Sequence, residues 1–248
     1  MSVPLSFTRA LPPPPAGASL GDLLAAHVTD ASPPRVFTLL DCLPTTDLPA
    51  IHSPDQTRPA LTHAAVHKFV AGFALPYAAS RGPLGVNDRI MVALPTGPEN
   101  ALALLALAAY HTVAPVNASC TAAELLDDAE RLRATCVFAT RDSEERLGLQ
   151  RLRDELGCEI VFLEPRAHGP AGLFDMSLLD GSEEMSYDDA HPPAPGRLAG
   201  LRDQALILHT SGTSGKKKVV PYSLRSLIVG TCAVALSWDL QPADVNSE

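Results

Sequence analysis

Cysteine is too sparse and too scattered in this sequence to build a disulfide framework or a metal knuckle. The cysteines are odd in number, and no two are spaced as a redox pair or a zinc-binding pair: Cys42, Cys120, Cys136, Cys158 and Cys232. We therefore expect buried or half-buried free thiols, as in a protein of a reducing compartment.

Long apolar runs are also missing, which bears on membrane association and secretion. The most apolar stretch, Ala101 to Tyr110, is too short to cross a bilayer. The first residues, MSVPLSFTRALPPPPAG, contain no continuous apolar segment of the kind found in a secretory signal. These absences predict a cytoplasmic chain without a membrane span, and they make the glycosylation sequon at Asn117 incidental.

Positive charge is in deficit, with 19 basic against 28 acidic residues and a formal net charge of −9. An excess of negative charge repels the phosphate backbone of nucleic acids at long range, so the composition disfavours a nucleic-acid partner. The composition is nevertheless that of a folded protein, because 46% of the 248 residues are apolar and can bury a substantial core.

Two apolar periodicities alternate along residues 61–248 and predict an α/β fold. Helical spacing marks five segments, which begin at Thr62, Glu99, Thr121, Ser143 and Ser223. Between them lie buried-strand patterns at Arg89–Leu94, Val113–Val116, Cys136–Ala139, Glu159–Leu163 and Ala205–His209. Strands that are apolar on both faces and alternate with helices indicate a mostly parallel sheet flanked by helices. Thr121 and Glu124 also form a capping box in sequence terms.

The remaining segments predict a leader and one irregular excursion. Residues 1–60 hold a helix-like segment, Ser19 to Val28, with Leu20, Leu23 and Leu24 on one face, and we expect this leader to pack on the body. A short extended run is predicted at Val36–Leu40. Residues 164–200 are acidic and end in prolines, which predicts a solvated and largely irregular connection. An acidic docking loop stays open as an alternative for this segment.

The stretch HTSGTSGKKKVV, residues 209–220, contains the candidate functional residues. It leaves the carboxyl end of a predicted strand, where open α/β sheets bind their ligands. Its glycines let the backbone turn amides inward, its hydroxyls add donors and its lysine supplies a mobile positive charge, which together suit a polyphosphate. A flexible linker has the same composition, so composition alone does not distinguish a linker from a phosphate-binding loop. The candidates are Thr210, Ser211, Gly212, Thr213, Ser214, Gly215 and Lys218.

Better-known motifs are excluded by spacing. A Walker-type loop requires glycine where this chain has Thr210 and a hydroxyl where it has Lys217. A nucleophile elbow centred on Ser214 requires glycine where the chain has Lys216. His63 and His67 share a helical face, but no third ligand accompanies them, so no metal site is predicted.

The segment after the loop is predicted to be helical from about Ser223, with Leu224, Leu227, Ile228 and Cys232 as its apolar positions. A helix N-terminus carries partial positive charge. Two roles stay open for this helix: adding to a field that holds phosphate, or packing alone.

The run Leu208 to Lys218 resembles the phosphate-loop signature of the AMP-forming adenylating enzymes, which include acyl-CoA synthetases, luciferases and the adenylation domains of peptide synthetases. That signature reads T-S-G-[TS]-[TS]-G-x-P-K, and eight of its nine positions are satisfied. The departure is Lys217, where the family usually has proline. The resemblance extends to LTHAAVHKFV (61–70), to residues 88–125 and to RDQALILHTSG (202–212).

This resemblance implies the first portion of the large N-terminal domain of an adenylate-forming enzyme, one similar to the acyl-CoA synthetases. It implies ATP and, through ATP, Mg²⁺, with the hydroxyls of the loop and Lys218 holding the β- and γ-phosphates. The implied partners are a small-molecule carboxylate and a thiol acceptor, either CoA or the pantetheine of a carrier protein. The family's later motifs and its C-terminal domain would follow Glu248, so we expect an N-terminal fragment that does not adenylate alone. A truncated, non-catalytic nucleotide- or anion-binding module is the alternative.

Overall fold

A computed structural model of the chain describes residues 38–53, 57–78, 81–181, 184–185, 196–210 and 218–238. The leader helix predicted at residues 19–28 lies outside these ranges, as do residues 211–217 of the glycine-rich stretch. The proline-rich end of the acidic segment, residues 186–195, lies outside them as well.

Most strands of the described chain belong to one sheet. A separate antiparallel pair is formed by β1 (Pro49–Ile51) and β2 (Leu61–Thr62). The sheet strands are β3 (Arg89–Ala93), β4 (Thr112–Pro115), β5 (Cys136–Ala139), β6 (Glu159–Pro165), β7 (Phe174–Leu178), β8 (Glu184–Met185), β9 (Gln204–Thr210) and β10 (Lys218–Ser223). Their order is β10-β9-β4-β3-β5-β6-β7-β8. The central strands β9, β4, β3, β5 and β6 are parallel, and the flanking pairs are antiparallel, which confirms a mostly parallel sheet.

The α-helices of the described ranges are α1 (His63–Ala71), α2 (Pro98–Tyr110), α3 (Ala122–Leu132), α4 (Glu144–Leu147), α5 (Leu149–Leu156) and α6 (Leu224–Ser237). The capping box at the start of α3 is present as predicted. The backbone N–H of Glu124 donates to the Thr121 hydroxyl at 3.3 Å, and the N–H of Thr121 donates to the Glu124 carboxylate at 2.9 Å. Each of the two residues thus satisfies a backbone donor at the start of the helix.

Two local predictions are wrong. Of the extended run expected at Val36–Leu40, Val36 and Phe37 lie outside the described residues. Leu39 and Leu40 begin a 3-10 helix that ends at Cys42, because the carboxylate of Asp41 turns back to accept the Thr38 amide at 2.8 Å. The single helix expected from Ser143 to Leu156 is divided into α4 and α5 by Gly148, whose φ of 61° lies in the left-handed region. A glycine adopts that conformation without the steric cost that a side chain would add.

The sheet separates two apolar cores. Ile90 and Val92 of β3 face one core, whereas Met91 between them faces the other. This alternation is that of a strand buried on both faces. The first core includes residues of α1, α2 and α6, and the second includes residues of α3, α4 and α5. Helices therefore cover both faces, as the sequence predicted.

The acidic segment 164–200 is more regular than expected, which corrects the prediction of a largely irregular connection. β6 runs on to Pro165, and β7 pairs antiparallel with it, Val161 opposite Leu178. The ring of Phe174 is buried, 5.1 Å from the ring of Phe69 between centroids and 6.0 Å from that of Phe138. Asp175, the one acidic residue of β7, lies between the buried side chains of Phe174 and Met176, so a strand was mistaken for a solvated loop.

The described residues also bear on two compositional predictions. All five cysteines are free thiols, four of them buried and Cys42 partly buried, as expected. Burial raises the pKa of Cys42 to about 12 and that of Cys158 to about 11, so neither thiol is ionised near neutrality. Among the helices of the described ranges, none combines the length and the apolar character that crossing a membrane requires.

Candidate functional site

The glycine-rich stretch joins β9 to β10 at the carboxyl edge of the sheet. β9 lies parallel to β4, with Val113 opposite Leu206, so both strands end at the same edge. Thr210 ends β9, and β10 returns antiparallel with Lys218 opposite Thr210. The predicted position of the stretch at a strand's carboxyl end is confirmed. Between these two anchors, Ser211, Gly212, Thr213, Ser214 and Gly215 lie outside the described residues.

Lys218 is the positively charged residue of the candidate site, and it lies in the described part of the chain. Its side chain is exposed, and it forms no ion pair with another residue of the described part of the chain. A lysine with a flexible stem and no intramolecular partner keeps its ammonium available to an anion. The backbone of Lys218 lies opposite Thr210, at the carboxyl edge of the sheet from which the loop leaves.

The loop after β4 borders the candidate site, because β4 is the neighbour of β9 in the sheet. The side chain of Arg146, on α4, donates to the carbonyl oxygens of Ala118 at 2.7 Å and Cys120 at 3.1 Å. The amide oxygen of Asn117 accepts the N–H of Ser119 at 2.9 Å. Arg146 therefore fixes the loop beside the hairpin, a contact across some 28 positions that no local sequence pattern signals.

The next loop along the edge follows β3 and leads into α2. Glu99, in the first turn of α2, accepts from Arg58 at 2.6 Å and from the N–H of Gly172 at 3.1 Å. Arg58 also donates to the carbonyl oxygen of Pro170 at 2.8 Å. Because a carboxylate already occupies the positive end of this helix, α2 is not the phosphate-binding element of the edge.

The helix after the hairpin does not point at the loop, which decides between its two possible roles. β10 carries the chain away from the loop for six residues, about 20 Å. Its last residue, Ser223, lies opposite Gln204 at the amino end of β9, and the N–H of Leu224 donates to the Asp203 carbonyl at 3.0 Å. Of the two roles left open for α6, adding to a field that holds phosphate is therefore not supported, because its N-terminus lies at the amino edge of the sheet. The helix packs, burying Leu224, Ile228 and Cys232.

The two histidines lie on α1, a helix of the first core. Burial lowers the pKa of His63. Within the described ranges, no three His, Cys, Asp or Glu side chains come together in a group that could hold a metal ion.

A mostly parallel sheet with helices on both faces and an antiparallel hairpin at one end is the architecture of part of the large domain of adenylate-forming enzymes. The chain belongs to the AMP-binding enzyme family, whose model matches residues 45–246.

The relatives found by sequence and by structure agree on this class. The 4-coumarate–CoA ligase-like 3 of Oryza sativa subsp. japonica is 30% identical over 236 residues, which is 89% of this chain and 38% of that protein. The sulfoacetate–CoA ligase of Cupriavidus necator is 28% identical over 199 residues, 80% of this chain and 36% of that protein. The chain thus spans little more than a third of either relative.

Solved structures show the same fold. Apo MatB from Rhodopseudomonas palustris superposes with a TM-score of 0.60 at 21% identity, over 83% of this chain and 38% of that one. Apo MbtA from Mycobacterium smegmatis gives a TM-score of 0.61 at 22% identity, over 96% of this chain and 42% of that one. In both cases the match covers less than half of the solved chain.

Proposed function

We propose that residues 210–218 bind the phosphates of ATP and that the chain is the N-terminal part of an acyl-adenylate-forming ligase of the acyl-CoA synthetase kind. The observation that carries the proposal is the pairing of Thr210 with Lys218 at the carboxyl edge of the sheet, in a chain of the AMP-binding family. The backbones of the first and last residues of the signature, Thr210 and Lys218, are paired at the ends of one connection, which supports the proposal.

Each residue of the stretch has a proposed role. Gly212 and Gly215 let the backbone amides approach the phosphates, and the hydroxyls at positions 210, 211, 213 and 214 donate to phosphate oxygens. Lys218 supplies the positive charge, and Mg²⁺ would enter with ATP. When a carboxylate displaces pyrophosphate from the α-phosphorus, negative charge develops on the leaving group, and donors fixed beforehand stabilise it.

The proposed substrates are a small-molecule carboxylate and, as acceptor of the acyl group, a thiol of CoA or of a carrier-protein pantetheine. A second candidate function is a non-catalytic nucleotide- or anion-binding module, which the exposed Lys218 would serve equally well.

Calorimetric titration with ATP, ADP and AMP in the presence of Mg²⁺ tests the binding proposal. Lys218→Ala removes a charge-assisted contact worth about 1.5–3 kcal/mol, so ATP affinity should fall by about 10- to 100-fold while AMP affinity changes little. Arg202→Ala is the matched control, because it removes an exposed positive charge at the opposite edge of the sheet. Equal affinities for ATP and AMP, or equal losses in the two variants, would contradict the proposal.

Pyrophosphate exchange with a panel of carboxylates separates the two candidate functions. Exchange that depends on a carboxylate supports the ligase. Because the 248 residues are not expected to adenylate alone, exchange is measured on a chain that continues into the family's later motifs. Tight ATP binding without exchange in that longer chain supports the binding module instead.

A further inference from the structure

The outer flank of α6 carries an apolar stripe that the other described residues leave uncovered. Leu227, Val234 and Trp238 follow one another at intervals of seven and four positions, which places them along one side of the helix. The N–H of Trp238 donates to the Val234 carbonyl at 3.0 Å, so the helical spacing continues to the tryptophan. Val234 is 45% exposed and Trp238 is 74% exposed.

Such a stripe is unfavourable in water. A tryptophan side chain buries about 150–250 Å² when it is covered, and the apolar positions beside it extend the same surface. Leu227 is partly buried against the first core, so the stripe adjoins surface that is already packed. An element that continued this packing outward would cover the stripe.

The chain enters the described structure next to the same helix. The 3-10 helix Leu39–Cys42 contacts α6. Leu39, Leu40 and Cys42 pack on the core that contains the buried face of α6, including Ile228. The segment that precedes Thr38 therefore starts beside α6.

The leader is long enough to reach every part of the stripe. Nine residues, 29–37, separate the helix-like segment 19–28 from Thr38, and fully extended they span about 30 Å. The 14 residues of α6 span about 21 Å. The linker is therefore long enough for residues 19–28 to contact any part of α6.

We infer that residues 19–28 pack as an amphipathic helix against α6, with Leu20, Leu23 and Leu24 covering Val234 and Trp238. Positions i, i+3 and i+4 form the ridge by which one helix packs into the groove of another. This docking would bury the single tryptophan of the chain.

Fluorescence of the single tryptophan tests the inference on the full chain. The wild-type protein should emit at shorter wavelength than free N-acetyltryptophanamide and should be quenched less by acrylamide. Leu20→Ser/Leu23→Ser/Leu24→Ser should shift the emission to longer wavelength and raise the quenching constant. Ala25→Ser/Ala26→Ser, on the opposite side of the segment, should leave both unchanged. Far-UV circular dichroism verifies that each variant is folded.

Two outcomes overturn the inference. Identical emission and quenching in the wild type and the folded triple-serine variant would show that the leader does not cover Trp238. Protection of Trp238 that disappears on dilution and persists in the triple-serine variant would identify a second copy of the chain as the occupant.

Discussion

Lys218 lies directly opposite Thr210 in the outermost pair of the β9–β10 ladder. Partners in an antiparallel pair have Cα atoms about 4.5–5.5 Å apart, so a residue eight positions later in the sequence returns to where the loop begins. The lysine therefore starts from a fixed strand position opposite Thr210, the first residue of the signature. That fixed geometry is what we propose as the base of the phosphate site.

Replacing Phe174 with alanine tests the strand found in the acidic segment. Phe174 is fully buried between Phe69 and Phe138, so its truncation should lower the free energy of unfolding by about 3–5 kcal/mol. Urea denaturation measures the loss. Glu164→Ala, which breaks an exposed ion pair with Arg141, should cost less than about 1 kcal/mol. A loss below about 1 kcal/mol in the free energy of unfolding for Phe174→Ala would show that this segment is not a packed strand.

Two glycines that share a left-handed conformation differ in their surroundings. Gly148 has a φ of 61°, and a Cβ there would lie 3.2 Å from the Cβ of Ala122; Gly157 has a φ of 66° with no atom within 4 Å of such a Cβ. Alanine at either site costs about 1 kcal/mol or more in backbone strain. Gly148→Ala should cost more, because α3 must also shift.

Thermal unfolding of the two glycine variants side by side measures that difference. If Gly148→Ala and Gly157→Ala melt at the same temperature, the approach of α3 to Gly148 contributes nothing and the contact is not as close as the structure has it.

Thr121→Ala removes the hydroxyl that caps α3. The expected loss is about 1 kcal/mol in the free energy of unfolding, since one backbone N–H loses its acceptor and Glu124 loses its reciprocal partner. Thr121→Ser keeps the hydroxyl and should stay close to the wild type. Chemical denaturation of both variants measures the contribution of the capping hydroxyl to the free energy of unfolding. If Thr121→Ser is destabilised as much as Thr121→Ala, the methyl group of Thr121 causes the effect instead.

His111 should make stability depend on pH. Burial lowers its pKa, against a smaller opposite effect of the Gly85 carbonyl, to which Nδ1–H donates at 3.0 Å. The unfolded chain takes up a proton near the ordinary value of about 6.5 before the folded protein does. The stability that the neutral ring contributes is therefore present above about pH 6.5 and is lost as pH falls through the folded pKa.

The free energy of unfolding should accordingly fall between about pH 7 and about pH 5, and His111→Gln should flatten that slope. His52→Gln, at an exposed histidine, should keep it. Denaturation curves measured across this pH range test the prediction. If the free energy of unfolding of His111→Gln depends on pH as steeply as that of the wild type, another group causes the dependence.

The sequence patterns predicted the parallel centre of the sheet well because those strands are buried on both faces. β5 was predicted with its observed bounds, Cys136–Ala139, since every one of its residues is buried and apolar. β10 was missed because none of its residues is buried, so it lacks the apolar pattern of a core strand, and its proline resembles a loop. Only its pairing with β9 identifies it, and pairing is not a local property of the sequence.

The candidate site shows the same division. Its residues follow from the signature, which is local, and their place at the carboxyl edge follows from the strand that precedes them. The contacts that shape the edge do not: Arg58 with Glu99 and Arg146 with Ala118 join residues 41 and 28 positions apart. The position of the N-terminus of α6 could not be predicted either, because it depends on β10, a strand that local patterns did not reveal.

The antiparallel return of β10 has a consequence for how this region tolerates change. Because the hairpin fixes both ends of residues 211–217 at neighbouring points, adding residues there costs little closure entropy, which rises only with the logarithm of length. Insertions at the tip should thus be absorbed without disturbing the sheet. Ligand affinity and fold stability can vary independently at this hairpin, so natural selection can retune the first while leaving the second intact.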